Sequence, residues 1–166
     1  LKVKEDFVRP DGSVYEIIDY DENDGDLIDH ERDRSESTET TWSAGQAWAI
    51  YGFTMLYRET GDSRFLEAAQ QTADYFIANL PSDLVPYWDF NAPLIPDTEK
   101  DVTATAIAAA ALQELGSFVT DPFAQLTYQT TAYSMLQALS APPYIAEGSN
   151  SSGILLHAVR NHPDER

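Results

Sequence analysis

A helical apolar periodicity that occurs four times, in two pairs, constrains this chain more than anything else in it. Between Gln46 and Thr60, the residues Ala49, Ile50, Phe53, Leu56 and Tyr57 recur at helix spacing. Gly61-Asp62 stops that segment, and Asp62 is placed to cap a second helix. The second helix is expected to run to about Leu80 through Phe65, Leu66, Ala69, Ala73, Phe76 and Ile77, with Pro81 ending it. After an irregular stretch, Pro81 to Lys100, Asp101 can cap a third helix to about Leu115, which Gly116 is expected to terminate. A fourth is expected from about Pro122 to Leu139, before Pro142-Pro143. The second pair starts roughly 55 residues after the first. Short helix, tight turn, partner helix, repeated across a long loop, is the pattern of an α/α toroid; a four-helix bundle or a short solenoid also satisfies it. The small-residue run Thr103–Ala111 suits a helix that its neighbours approach closely.

The first forty residues read differently, as strands and turns. Asp11-Gly12 and Asp24-Gly25 are turn signals, and Val14-Tyr15-Glu16-Ile17-Ile18 is rich in β-formers, so a hairpin is expected. Asp19, Asp21 and Asn23 alternate as in a calcium loop. The glycine falls one place late, however, at Gly25, and His30 stands where a bidentate Glu belongs, so a solvated acidic loop is the better reading. Residues 1–39 hold 14 of the 28 acids.

The net charge is −18 and the ten Lys and Arg residues form no cluster, which argues against nucleic acid or an anionic membrane surface as partner. No apolar run is long enough to span a bilayer. Without cysteine there is neither a disulfide framework nor a thiolate metal site, and no cofactor or metal is expected. The compartment stays open: the chain begins at Leu1 rather than Met, as though something upstream had been removed.

Nucleophile elbows, HExxH and glycine-rich phosphate loops are absent, and His30, His157 and His162 lack ligand spacing. What remains is aromatic and polar. Trp42-Ser43-Ala44-Gly45-Gln46-Ala47-Trp48 opens the first helix, and Pro86-Tyr87-Trp88-Asp89-Phe90-Asn91-Ala92-Pro93 sits in the long loop; all three tryptophans lie in these two stretches. Flat rings beside amides and carboxylates suit the apolar face and hydroxyl rim of a pyranose. They suit core anchoring equally well, and composition does not separate the two.

Those same residues carry a resemblance. Trp42-Ser43-x-Gly45-Gln46-Ala47-Trp48-Ala49-Ile50-Tyr51-Gly52-Phe53, Ala73-Asp74-Tyr75-Phe76, Leu80-Pro81 and Val85-Pro86-Tyr87-Trp88-Asp89-Phe90-x-Ala92-Pro93 resemble the unsaturated glucuronyl hydrolases of glycoside hydrolase family 88. Asp11-Gly12-Ser13, the Ala104–Leu115 helix and Gly153-Ile154-Leu155-Leu156-His157 fit in the same order, and Leu139-Ser140-Ala141-Pro142-Pro143-Tyr144 looks like the fungal branch.

The resemblance implies an all-α fold, part of an (α/α)6 six-hairpin barrel with a short β-hairpin-like N-terminal segment. The division expected is 1–42 acidic hairpin and loops, 43–140 two helical hairpins, 141–166 extended tail. It implies a glycosidase that removes 4,5-unsaturated uronic acid from oligosaccharides left by polysaccharide lyases. An Asp protonates the enol-ether double bond and water adds at the neighbouring carbon, unlike displacement by a carboxylate pair. Both family aspartates lie upstream of the matched region and a Tyr-rich barrel segment lies downstream, so no catalytic residue is expected here and the chain alone is expected to be inactive. The substrate-binding candidates are Trp48, Arg34, Trp42, Gln46, Trp88 and Asp89. Four positions depart from the family: Ala44 replaces an Arg, Arg34 a Gln, Asp33 a frequent His, and Glu16 a His. Glu16 and Asp33 thereby set negative charge against a carboxylate-bearing substrate. A non-catalytic carbohydrate-binding or interaction module, or a decayed scaffold of the same fold, are the other readings. Exposed barrel edges would favour self-association.

Overall fold

A computed structural model of the chain describes residues 2–159; His162 lies outside them. The elements run α1 (Lys2–Phe7), β1 (Ile17–Tyr20), β2 (Leu27–Glu31), α2 (Ser43–Thr60), α3 (Ser63–Ala78), α4 (Val102–Phe118) and α5 (Pro122–Leu139). The four long helices form two antiparallel hairpins. α2 packs on both α3 and α4, and α4 on α5, so α2 and α4 occupy the middle of the layer order. Ala104, Ala108, Ala109 and Ala111 are fully buried on α4, where small side chains let its two neighbours approach closely. The main apolar core joins Ile50, Phe53, Phe76, Leu112, Leu115, Tyr128 and Met135 across all four helices.

Helix ends follow local chemistry. Asp62, Asp101 and Asp121 each accept the backbone N–H two residues on, capping α3, α4 and α5. α2 has no side-chain cap; the Ser43 N–H instead donates to the Trp88 carbonyl at 3.0 Å, and the helix starts three residues before the apolar periodicity does. Gly116 does not terminate α4, which runs two residues beyond it. A Cβ at Gly116 would stand 2.9 Å from Cγ of Gln129 on α5, so the glycine marks a close helix approach.

The N-terminal forty residues contain the expected antiparallel hairpin, β1 with β2, pairing Ile17 with Glu31 and Ile18 with His30. They also contain α1, which the sequence reading placed among strands and turns; six residues are too few to show a helical period, and Phe7 docks on the main core. Two polar residues organise this segment: Arg9 ties its turns to one another and to Thr41 just before α2, and Gln46 fastens it to α2 and α3. The Arg9 guanidinium donates to Ser13 Oγ, Thr41 Oγ1 and the carbonyls of Val14, Thr38 and Thr40, and stacks 3.9 Å from the Tyr15 ring centroid. Gln46, wholly buried on α2, accepts from the Val14 N–H at 2.9 Å and donates to the carbonyls of Gly12 at 2.8 Å and Thr72 at 3.0 Å.

The loop from Pro81 to Lys100 is pinned rather than free. Trp88 N–H donates to Glu99, Asp101 N–H to Pro86 and Phe90 N–H to Thr41, which lays the loop against the start of α2. Among the described residues no helix is long and apolar enough to cross a membrane.

Candidate functional site

Where α2 and α4 begin, a cavity of about 300 Å³ is lined by Arg34, Trp42, Ala44, Trp48, Thr103, Ala158 and Val159. Four separate pieces of chain build it, the first being the loop after β2, which supplies Arg34. The first turns of α2 supply Trp42, Ala44 and Trp48; Ala44 and Trp48 are four residues apart and share a helix face. α4 supplies Thr103, two residues after its Asp101 cap. The tail supplies Ala158 and Val159, held by Val102 N–H to the His157 carbonyl at 3.2 Å and by Val159 N–H to Asp101 Oδ1 at 3.4 Å.

Trp48 is 54% exposed and stands at right angles to Tyr51, 5.8 Å between centroids, so much of its surface is not spent on the core. Arg34 stacks its guanidinium 4.8 Å from the Trp42 ring centroid and lies 3.6 Å from the exposed Asp33 carboxylate. Flat aromatic surface, one cation and a hydroxyl at Thr103 together suit an anionic sugar ring.

Glu16 is a correction to the sequence reading, which set its charge against an incoming carboxylate. Its carboxylate is turned onto the backbone of the loop after β2. It accepts N–H bonds from Asp33 at 3.1 Å, Arg34 at 2.9 Å and Ser35 at 2.8 Å, and the Ser35 hydroxyl at 2.5 Å. Burial pushes the Glu16 carboxyl up, but those hydrogen bonds outweigh it and hold the group below its ordinary range. Asp101, also buried, has no partner for Oδ2 among the described residues, and here burial wins over its hydrogen bonds to Thr103 and Val159 and raises the carboxyl.

Arg34, Trp42, Ala44 and Trp48 are therefore brought together at the cavity, and Gln46, Trp88 and Asp89 are not. Gln46 is committed to the bonds described above. Trp88 is 2% exposed, and its Nε1 donates to Thr98 Oγ1. Asp89 is wholly buried and accepts from Thr40 Oγ1 and the N–H groups of Glu36 and Asn91, organising two loops. Sequence reasoning missed Thr103, Ala158 and Val159. The Asp101 cap marked the start of a long helix and could have drawn attention to Thr103; nothing local marks the other two. His30 stacks on Tyr15 at 3.7 Å and His157 sits 5.9 Å from the Tyr144 ring; neither is among the residues lining the cavity. Among the described residues no three acidic or histidine side chains gather as metal ligands.

No protein-family model matches the chain. Over 158 residues it is 39% identical to an unsaturated glucuronyl hydrolase of Formosa agariphila, covering 93% of this chain and 38% of that protein. To the unsaturated glucuronyl hydrolase of Bacillus sp. (strain GL1) it is 38% identical over 117 residues, covering 70% and 31%. An unsaturated chondroitin disaccharide hydrolase of Streptococcus pyogenes serotype M1 is 30% identical over 153 residues, covering 92% and 38%. The chain thus spans about two fifths or less of the length of the curated relatives it matches. Among solved structures, it superposes on the Bacillus sp. GL1 unsaturated glucuronyl hydrolase, described as responsible for the degradation of glycosaminoglycan. The TM-score is 0.87 at 32% identity, over 95% of this chain and 42% of that one. An unsaturated glucuronyl hydrolase specific for heparin gives a TM-score of 0.90 at 33% identity, over 96% and 43%.

Proposed function

This chain belongs to glycoside hydrolase family 88, the unsaturated glucuronyl hydrolases, and carries part of their (α/α)6 barrel, and on that premise we propose that its cavity forms one wall of a site for an unsaturated uronyl sugar. The observation that carries the reading is the meeting of an exposed Trp48 face with the Arg34–Trp42 stack at the start of two barrel helices. Trp48 offers a stacking surface to the apolar ring face, Arg34 a charge-assisted donor to the uronate carboxylate, and Thr103 a hydroxyl partner.

The reaction of this site is hydration of the 4,5 double bond. A proton goes to one alkene carbon and water oxygen to the other, and the resulting hemiketal opens to release the remaining sugar. No Asp or Glu lines the cavity among the described residues, which supports a chain that binds the uronyl group without supplying the proton donor. The 166 residues are expected to bind an unsaturated uronyl disaccharide without bleaching its conjugated absorbance. A missing general acid costs on the order of 10²–10⁴-fold in rate. Trp48→Ala should weaken binding about fivefold or more, the worth of a lost stacking face, with little change in the melt. Turnover by the chain alone, or binding untouched by Trp48→Ala, would remove this assignment. The cavity is equally what a binding-only module needs, and that second reading predicts the same affinity with no activity on adding the rest of a barrel.

The outer face of α5 exposes Phe123, Leu126, Tyr133 and Leu136, opposite the buried Tyr128, Ala132 and Met135. Such a stripe favours a second copy of the chain as its cover. Sedimentation is expected to show dimers or larger species that Leu126→Glu with Tyr133→Glu returns to monomer; a monomeric parent excludes it.

A further inference from the structure

We infer that Glu16 is a positioning residue: by gripping the backbone of residues 33–35 it fixes the Arg34 guanidinium as the anion-recognising group of the cavity. The inference rests on the sugar-site reading above and names which part of that site selects charge.

The geometry is specific. Three consecutive backbone N–H groups and one hydroxyl converge on a single carboxylate, and the middle amide belongs to Arg34 itself. A loop that would otherwise sample many backbone conformations is thereby held on both sides of the Arg34 Cα. From that anchor the side chain lies along Trp42, and its buried Nε has no hydrogen-bond partner among the described residues. Arg34 is the only charged side chain among the described residues lining the cavity. The negative charge of Glu16 is matched locally by four donors, so it does not face the space where a ligand would sit. The Asp33 carboxylate, 3.6 Å from Nε, is largely exposed and screened by water.

Two accounts of Glu16 make opposite predictions. If it acted only as a nearby negative charge, removing that charge would tighten the binding of an anion. If it positions Arg34, removing it frees the loop and weakens the anion alone.

The test titrates the 166-residue chain with an unsaturated uronyl disaccharide and with its neutral methyl ester, following tryptophan fluorescence. The parent should prefer the acid. Arg34→Gln should lower affinity for the acid about tenfold or more, as expected for a lost charge-assisted hydrogen bond. Glu16→Gln should remove most of the same preference while leaving ester binding within about twofold, and the double variant should be no worse than Arg34→Gln, because both act through one contact. Glu16→Asp, too short to span three amides, should behave like Glu16→Gln and serves if the latter folds poorly by circular dichroism. Acid binding by Glu16→Gln that is unchanged or tighter overturns the inference, as does equal loss for acid and ester, which would mark a purely structural residue. A parent that binds both probes equally, in a Trp48-dependent way, overturns this inference and leaves the sugar site standing. A parent that binds neither overturns both.

Discussion

Gln46→Leu is expected to destabilise the chain by about 3 kcal/mol or more, since a buried polar group left without its partner costs about 1–3 kcal/mol. The substitution preserves volume and helix propensity but strands two groups, the N–H of Val14 and the carbonyl of Gly12, and takes from the Thr72 carbonyl, already an acceptor within α3, its second donor. All three lie in buried surroundings, and water cannot reach them without opening the seam between the N-terminal segment, α2 and α3. Gly12 can offer no slack. It sits at φ +92°, so close to α3 that an added Cβ would clash with the Gln71 carbonyl oxygen, and the turn cannot shift toward α3 to find new partners. Chemical denaturation followed by far-ultraviolet circular dichroism measures the effect. A midpoint unchanged from the parent would mean that Gln46 is dispensable to the seam.

Trp88→Ala should be comparably severe, about 3–5 kcal/mol, the usual range for emptying a buried tryptophan position. Its ring is almost wholly enclosed, and its backbone ties the long loop to Ser43 at one end and Glu99 at the other. The matched comparison is Trp48→Ala, where a half-exposed ring is removed from a cavity wall and the melt should barely move. Emission should separate the two as well, with a blue component lost with Trp88 and a red one with Trp48. Equal destabilisation by both would mean that Trp48 is a core residue, against its exposure.

The contrast between these two tryptophans shows what was legible in the sequence. The helices were, because the 3.6-residue apolar pattern and the Asp, Gly and Pro punctuation agree with each other along α2 to α5. Even the exposure of Trp48 was within reach. On a helical wheel it lies opposite Ala49, Ile50 and Phe53, whereas Gln46 falls on the same side as they do. Trp88 had no such signal, since an irregular loop has no period from which to read a face. Gly116 was misread because glycine is used both to stop a helix and to admit a neighbour, and only the position of Gln129 decides between them. Glu16 was misread for a related reason: a charge in a sequence has a sign but no direction. What turns it inward is the return of β2, which brings three amides within reach, and that depends on the hairpin register. Ala158 and Val159 are held at the cavity by a backbone bond from Val102 to His157 and by the Val159 N–H donating to the Asp101 carboxylate, and no residue type in the tail itself announces either.

Arg34 belongs to the fastened N-terminal segment, Trp42 stands at its junction with α2 as the helix cap, and Trp48 and Thr103 belong to the helical body. The cavity therefore exists only in molecules in which that segment is docked. Any sub-global opening that releases Arg9 and Gln46 while leaving the helices intact produces a folded but binding-incompetent species, and the observed affinity is the intrinsic one scaled by the docked fraction. A ligand that spans the seam draws the equilibrium toward docking, so it should slow amide exchange at Val14 and in residues 33–35 more than in the middle of α4. Affinity and local stability are in this way two readings of one equilibrium, set by hydrogen bonds that never touch the sugar.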